Sequence, residues 1–182
     1  KDKATQNEAF LCSMDDENLY GPEFFHIGFG KAVEKNLLTD YKVLVLTLHE
    51  KMVPPILQQS LASETEIETD DPAKIIGCIN ALSKNILGDA GVIQATDPSP
   101  MRRAVAFCPK ISASKEITKA FEISSEKYPE NLPEKQKDEM LKVESKHVDG
   151  GMNAEYRNEL LNWLKEEPEE GACRILTNVR CL

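Results

Sequence analysis

Polar side chains able to bind anions or to transfer protons follow directly after several short apolar segments. They are Thr47 and His49 after residues 41–48, residues 108–114 after 103–107, residues 149–152 after 142–148, and Thr177 and Asn178 within 174–179. If these segments are parallel strands, the positions lie at the carboxyl edge of a sheet, where ligands bind in open α/β folds. Backbone amides at the following helix starts would suit an anion such as a phosphate. For Ser112 and Ser114 we favour ordinary helix capping, with phosphate contact as the alternative.

The standard catalytic motifs are absent from the sequence. It contains no G-x-x-x-x-G-K-[ST] loop, no G-x-G-x-x-G, no G-x-S-x-G and no H-E-x-x-H. The triplet at 28–30 has only two glycines and indicates a turn. His26, His49 and His147 are far apart in sequence, and we interpret each as a surface or packing residue. We predict no catalytic residue in this chain.

Metal-ligand patterns are also weak. The acidic run at 15–17 could hold a divalent ion, but such runs in loops are usually solvated. Five cysteines, an odd number without a C-x-x-C pair, favour reduced thiols over disulfides or zinc. We therefore predict no metal site. Trp163, the single tryptophan, is expected to be part of the core.

Composition limits the classes of function. The chain has 182 residues, which suits one core, and 22 basic against 31 acidic residues give a net charge of −9. That charge opposes tight binding of nucleic acid by the chain alone. Apolar runs are too short to span a membrane and no leader opens the sequence, so we expect a soluble, cytoplasmic protein. The stop at Leu182, just after a strand, suggests a piece cut from a longer protein.

The apolar segments at 41–48, 103–107, 142–148 and 174–179 predict four short strands. Helices are predicted between them: one from Asp71 to about Gly88, one starting at Ser112 or Ser114, and one capped by Asn153. Residues 1–36 are expected to be rich in loops, and 124–138 to be a solvated loop or frayed helix. The alternation of strand and helix predicts a parallel sheet with helices on both faces.

The order of several short motifs carries a family resemblance. Residues 19–24 (LYGPEF), 28–34 (GFGKAVE) and 37–43 (LLTDYKV) resemble the stretch that joins the two motor domains of superfamily 2 DEAD/DEAH-box-type helicases, especially those allied to type I and type III restriction enzymes. Residues 102–108, with Ser112 and Ser114, resemble helicase motif IV. Residues 147–150, with Met152, Asn153 and Arg157, resemble the strand-turn-helix that follows, and 174–182 resemble the opening of motif V.

The resemblance implies a fold and a domain organisation. The fold would be a RecA-like, P-loop NTPase-type α/β three-layer sandwich with a mainly parallel sheet, truncated at its C-terminus. Residues 1–38 would be a loop-rich linker from the first motor domain, and 39–182 an incomplete second RecA-like domain.

The resemblance also implies contacts for particular residues. Nucleic acid would be bound by Ser112, Ser114, Thr177 and Asn178. A second set matches family motifs without an assigned role, either structural or backbone-contacting: Phe107, Cys108, Asp149, Gly150 and Arg157.

The implied function belongs to the parent protein, an ATP-dependent helicase or translocase acting on DNA, or on RNA. ATP and Mg²⁺ would bind with the help of the first RecA-like domain, and restriction-modification partners are possible. Because the phosphate loop, the acidic box and the arginine motif VI are absent, we expect the fragment alone to be inactive, to bind no cofactor tightly, and to self-associate through an open sheet edge. The alternative is a self-contained α/β interaction or regulatory module without catalysis.

Overall fold

The computed structural model describes residues 15–43, 45, 53–67, 71–85 and 99–179, and the chain divides into two compact units, residues 1–45 and 46–182. In the first unit, α1 (Glu17–Tyr20) is capped by Asp16, whose carboxylate accepts the Asn18 amide. Helix α2 (Phe29–Glu34) buries Ala32. The predicted linker boundary at residue 38 stays a prediction.

The second unit contains three strands and five α-helices among the described residues. The strands are β1 (Arg103–Phe107), β2 (Lys142–Val148) and β3 (Ala172–Asn178). The helices are α3 (Pro55–Glu64), α4 (Asp71–Leu82), α5 (Ile111–Lys127), α6 (Glu134–Lys137) and α7 (Ala154–Lys165), with a 3₁₀ turn at Pro129–Asn131. Across these described ranges no helix is long and apolar enough to cross a membrane.

The strands form one parallel sheet in the order β1-β3-β2. Ala106 of β1 and His147 of β2 both align with Thr177 of β3. The three predicted strands at 103–107, 142–148 and 174–179 are therefore confirmed, with small shifts at the last. Of the strand predicted at 41–48, positions 41–43 and 45 have no regular structure, and the others, with Thr47 and His49, lie outside the described residues.

Helices cover the sheet on both faces, because consecutive strand residues point to opposite sides. Cys173 and Ile175 pack with α3, α4 and α5 in the larger core cluster. Leu176 and Val148 point the other way and pack with α7 around Leu160. Trp163 is partly buried against this second cluster, as expected.

Helix boundaries confirm some local predictions and correct others. Asn153 caps α7 by accepting the Tyr156 amide at 2.8 Å, as predicted. Helix α5 begins at Ile111 after Lys110, with no side-chain cap, so the interpretation of Ser112 or Ser114 as its cap is wrong. Helix α4 ends at Leu82, and Gly88 lies outside the described residues.

The segment 124–138 is also more ordered than predicted. Helix α5 continues through Lys127 and buries Ser124 and Ser125. Tyr128 is buried too, and its hydroxyl accepts a hydrogen bond from the Asn80 side chain of α4 at 3.1 Å. Burial of these residues against the core outweighs the polar composition of the segment.

Three arginines bind the amino-terminal ends of the strands to the end of α7 and the segment that follows it. Arg174 of β3 donates to the Trp163 carbonyl at 2.6 Å and pairs with Glu144 of β2 at 3.3 Å. Arg102 donates to the Pro168 and Glu169 carbonyls, and Arg103 pairs with Glu167. The Arg174 contact lies at the C-terminal end of α7, where cations are favourable.

The two outer strands of the sheet, β1 and β2, differ in what covers their outer sides. Along the outer side of β2, side chains of α5 occupy the edge. Ser125 Oγ accepts the Val143 amide at 2.6 Å, and the Glu122 carboxylate accepts the Ser145 amide. On β1, no other strand is paired along the outer side among the described residues, and Val105 and Phe107 on its α7-side face are 40% and 75% exposed.

We expect the isolated chain to self-associate through β1 rather than β2. Phe107→Lys should weaken self-association about tenfold or more, because an unpaired ammonium would be buried in an apolar contact. Light scattering after size-exclusion chromatography over a concentration series measures the mass. Tyr156→Lys, an exposed aromatic on α7, is the matched control. Equal masses for Phe107→Lys and wild type at every concentration would contradict the prediction.

Candidate functional site at the carboxyl edge of the sheet

The carboxyl ends of all three strands meet at one buried polar cluster. Cys108 follows β1, His147 and Asp149 lie at the end of β2, and Thr177 lies near the end of β3. Helix α5 contributes Ser114 from its first turn. The sequence predicted that the positions after the strands would converge, and for Cys108, Ser114, Asp149 and Thr177 the structure confirms it.

Ser114, His147 and Asp149 are linked by two short hydrogen bonds. Ser114 Oγ lies 2.7 Å from His147 Nδ1, and His147 Nε2 lies 2.8 Å from Asp149 Oδ2. The side chains of His147 and Asp149 are 8% and 9% exposed, and Ser114 is fully buried. This imidazole therefore joins the turn after β2 to the first turn of α5.

Two threonines extend the cluster towards the centre of the sheet. Thr177 Oγ1 lies 2.8 Å from Ser114 Oγ and 2.7 Å from Thr118 Oγ1. Thr118 also donates to the Ser114 carbonyl at 2.8 Å. Since Thr177 is fully buried, its hydroxyl depends on these partners.

The turn after β2 is built around the Asp149 carboxylate. The hydrogen bond from His147, and then the Gly151 amide at 2.8 Å, lower the pKa of Asp149. A Cβ at position 151 would lie 3.0 Å from Asp149 Oδ1, so glycine is favoured there. A carboxyl whose pKa is lowered by folding stabilises the fold above its ordinary pKa, and that contribution is lost as pH falls through the lowered value.

The cysteines in this part of the structure are free thiols with weak acidity. Burial raises the pKa of Cys108, and its hydrogen bond with Ser114 partly opposes that shift. Burial raises the pKa of Cys173 to about 11. Both side chains are buried and protonated at neutral pH, so neither is an activated nucleophile.

The Ser114, His147 and Asp149 distances match those of a hydrolase triad, but the surroundings do not. A nucleophilic serine must reach a substrate carbonyl, and Ser114 has no exposed surface. Two surface clefts, of 390 and 440 Å³, contain none of the three residues in their walls. The cluster is therefore a structural and proton-bearing network rather than a hydrolytic site.

The 390 Å³ cleft beside the first turn of α5, whose walls include Ser112, has a mixed charged lining. Its charged lining consists of Lys74 and Lys110 against Glu66, Asp71 and Glu116. Three carboxylates and two ammonium groups give this cleft a net negative charge. Among the described residues, no group of three His, Cys, Asp or Glu side chains is placed to hold a metal ion.

The predicted nucleic-acid contacts differ in accessibility. Ser112 is exposed on the first turn of α5, whereas Ser114, Thr177 and Asn178 are fully buried. Asn178 Nδ2 donates to the Ala106 carbonyl at 3.4 Å and ties β3 to β1. Their role in binding nucleic acid stays a prediction, and a direct contact fits Ser112 best.

The motif-matching residues also separate into two groups. Asp149 and Cys108 belong to the buried cluster, while Phe107 is exposed at the end of β1. Gly150 is exposed in the turn that follows β2. Arg157 is half-buried on α7, and its Nε atom has no hydrogen-bond partner within the described residues.

Two members of the cluster were missed by the sequence analysis. His147 was interpreted as a surface or packing residue, yet it lies at the centre of the network, whereas His26 is exposed beside Glu23, as expected. Thr118 was not singled out. Helical spacing offered the missing signal, because Thr118 lies four residues after Ser114 and shares its face of α5.

No protein-family model and no curated protein matches the sequence. Among solved structures, the chain is similar to the "ATP-dependent Type ISP restriction-modification enzyme LlaBIII bound to DNA", with 33% identity and a TM-score of 0.69. The alignment covers 97% of this chain and 11% of that enzyme, so the chain spans about a tenth of the protein it resembles. The predicted α/β fold of RecA-like type is confirmed, and so is its relationship, at the level of fold, to restriction-modification enzymes.

Proposed function

We propose that this chain forms most of the second motor domain of an ATP-dependent DNA helicase or translocase of the restriction-modification type. One observation carries the proposal: 33% identity and a common fold over 97% of the chain with an enzyme described as ATP-dependent and DNA-bound. The motifs at 102–108, 147–157 and 174–182 support it, because they occur in the order expected for such a domain.

ATP and Mg²⁺ would be held mainly by other parts of the proposed parent protein. The sequence has no phosphate-binding loop, and the described residues offer no group of metal-ligating side chains. We therefore expect a nucleotide site to require residues from those other parts. ATP supplies the free energy for closure of two domains in such motors, and the first RecA-like domain is the expected partner.

The DNA-facing surface would be the first turn of α5. Lys110, Ser112 and Lys115 are exposed there, at the carboxyl end of β1. Ammonium, hydroxyl and backbone amide groups at a helix start suit phosphate oxygens. Ser114 and Thr177, both buried, would act indirectly by holding this turn against the sheet.

Substituting the exposed serine tests the proposed DNA surface. In the full-length protein, Ser112→Glu should lower DNA affinity about tenfold, because a carboxylate would face phosphates of the same charge. Fluorescence anisotropy with a labelled DNA duplex at fixed salt measures the affinity. Ser63→Glu on α3 adds the same charge at another exposed serine and should leave the affinity unchanged. Equal losses in both variants would contradict a local contact.

Removing the buried threonine hydroxyl tests the motor assignment. Thr177→Ala should weaken DNA-stimulated ATPase in the full-length protein, since the Ser114 and Thr118 hydroxyls lose a partner at a cost of about 1–3 kcal/mol. ATPase rates with and without DNA measure the effect, and circular dichroism establishes folding. Thr177→Ser keeps the hydroxyl and should retain most of the stimulation. Full stimulation in Thr177→Ala would refute the role of Thr177, and a wild-type protein with no DNA-dependent ATPase would refute the proposed function.

A further inference from the structure

We propose that the first unit of this chain is a docking element, which packs its exposed aromatic side chains against a folded domain of the parent protein outside this chain. The inference rests on the proposed function, which supplies a multidomain parent, and it names the surface through which a neighbouring domain is held. This docking surface consists of the exposed large apolar residues in the described part of the unit: Leu19, Tyr20, Phe24, Phe25, Phe29, Leu37, Leu38, Tyr41, Val43 and Val45.

Exposed apolar side chains are concentrated in the first unit. Among the described residues, ten of the sixteen large apolar side chains that are exposed belong to it, although most described residues lie in the second unit. Phe24 is 95% exposed, and Ala32 is the one apolar side chain that is buried in the described part of this unit. Single apolar residues are normal on a protein surface, but such a density marks an interaction site.

The helices of this unit are too short to be stable without a partner. Helix α1 has four residues and α2 has six, whereas isolated helices shorter than about 12–15 residues are marginal in water. Local contacts define the unit: the Leu37 amide donates to the Ala32 carbonyl at 2.9 Å, and the rings of Phe29 and Tyr41 meet edge to face, 6.1 Å apart. Ordering a residue costs about 1–2 kcal/mol, so the burial of one alanine leaves most of this cost to be offset by a covering surface.

Composition separates this segment from a flexible linker. Flexible linkers are rich in glycine and serine, whereas residues 19–45 contain no serine and include three of the six phenylalanines of the chain. Aromatic side chains offer a large contact area and lose little conformational entropy on binding, because they have only two side-chain torsions. The segment therefore has the composition of an interface.

The charges of this unit favour a protein partner over a polyanion. Residues 15–30 contain four carboxylates and no lysine or arginine. Aromatic rings can stack on nucleobases, but DNA binding depends on cations that neutralise phosphates, and these carboxylates would repel phosphates. An anionic membrane surface is disfavoured for the same reason. We therefore expect the covering domain to present apolar groups with lysine or arginine side chains beside them.

The comparison with a solved structure also favours a domain of the same polypeptide. The alignment covers 97% of this chain, which includes most of the first unit, but only 11% of the restriction-modification enzyme. A segment like this unit thus occurs within a protein many times longer, most of which lies outside the aligned part. A second copy of this chain is the alternative cover, and the mass in solution separates the two.

Hydrogen exchange tests the docking by comparing this chain with the full-length protein, without DNA or ATP. We expect the amides of residues 17–34 to exchange about tenfold or more slower in the full-length protein, because docking stabilises helices that are marginal alone. Phe24→Ser combined with Phe25→Ser should abolish this added protection. Tyr156→Ser, at an exposed aromatic residue of the second unit, is the matched control and should leave it unchanged. Equal exchange of residues 17–34 in the two proteins would overturn the proposal.

Cross-linking identifies what covers the surface. Phe24→benzoylphenylalanine keeps an aromatic ring at the most exposed of these residues and makes it photoreactive. In the full-length protein we expect cross-links to peptides outside this chain. Cross-links to residues 46–182 would overturn the proposal, and so would cross-links between two copies, which light scattering detects as a doubled mass. A full-length protein that gives the expected cross-links but has no DNA-dependent ATPase would refute the proposed function and leave the docking surface standing.

Discussion

The pairing of β3 with a parallel strand on each side is the constraint on which the rest of the second unit depends. Because β3 lies between β1 and β2, its residues are almost all buried, and the carboxyl ends of the three strands are placed side by side. The register sets Thr177 beside Ala106 and His147. Shifting β3 by one residue would turn Thr177 to the face covered by α7 and bring Leu176 against α5. The polar cluster and both hydrophobic clusters therefore require the same register.

Buried hydroxyl groups make this arrangement specific. Ser114 and Thr177 have no access to water, and an unpaired buried hydroxyl costs about 1–3 kcal/mol. Each is satisfied only while α5 lies against the ends of β2 and β3, so the polar cluster fixes the position of α5 along the sheet. An apolar contact of the same area would tolerate sliding, because hydrophobic attraction has no direction. Because α5 is fixed in this way, the exposed residues of its first turn are also held in a defined position.

Pattern and spacing predicted what depends on local sequence. The short apolar segments at 103–107 and 142–148 and the Asn153 cap were identified correctly, because strand alternation and helix capping are properties of neighbouring residues. The interior of 124–138 was misjudged because Ser124 and Ser125 are polar residues buried by distant partners, such as the Val143 amide. The buried contacts of His147, interpreted as a surface or packing residue, were not predicted for the same reason. Its partner Ser114 lies 33 residues away, and nothing in the intervening sequence indicates that contact.

The two ends of the sheet are held by different chemistry. Arg102, Arg103 and Arg174 bind carbonyls and carboxylates at the amino edge, and guanidinium groups keep their charge at any physiological pH. At the carboxyl edge the corresponding links run through hydroxyls and one imidazole, whose hydrogens can be redistributed. A sheet held at both ends of its strands keeps a single register.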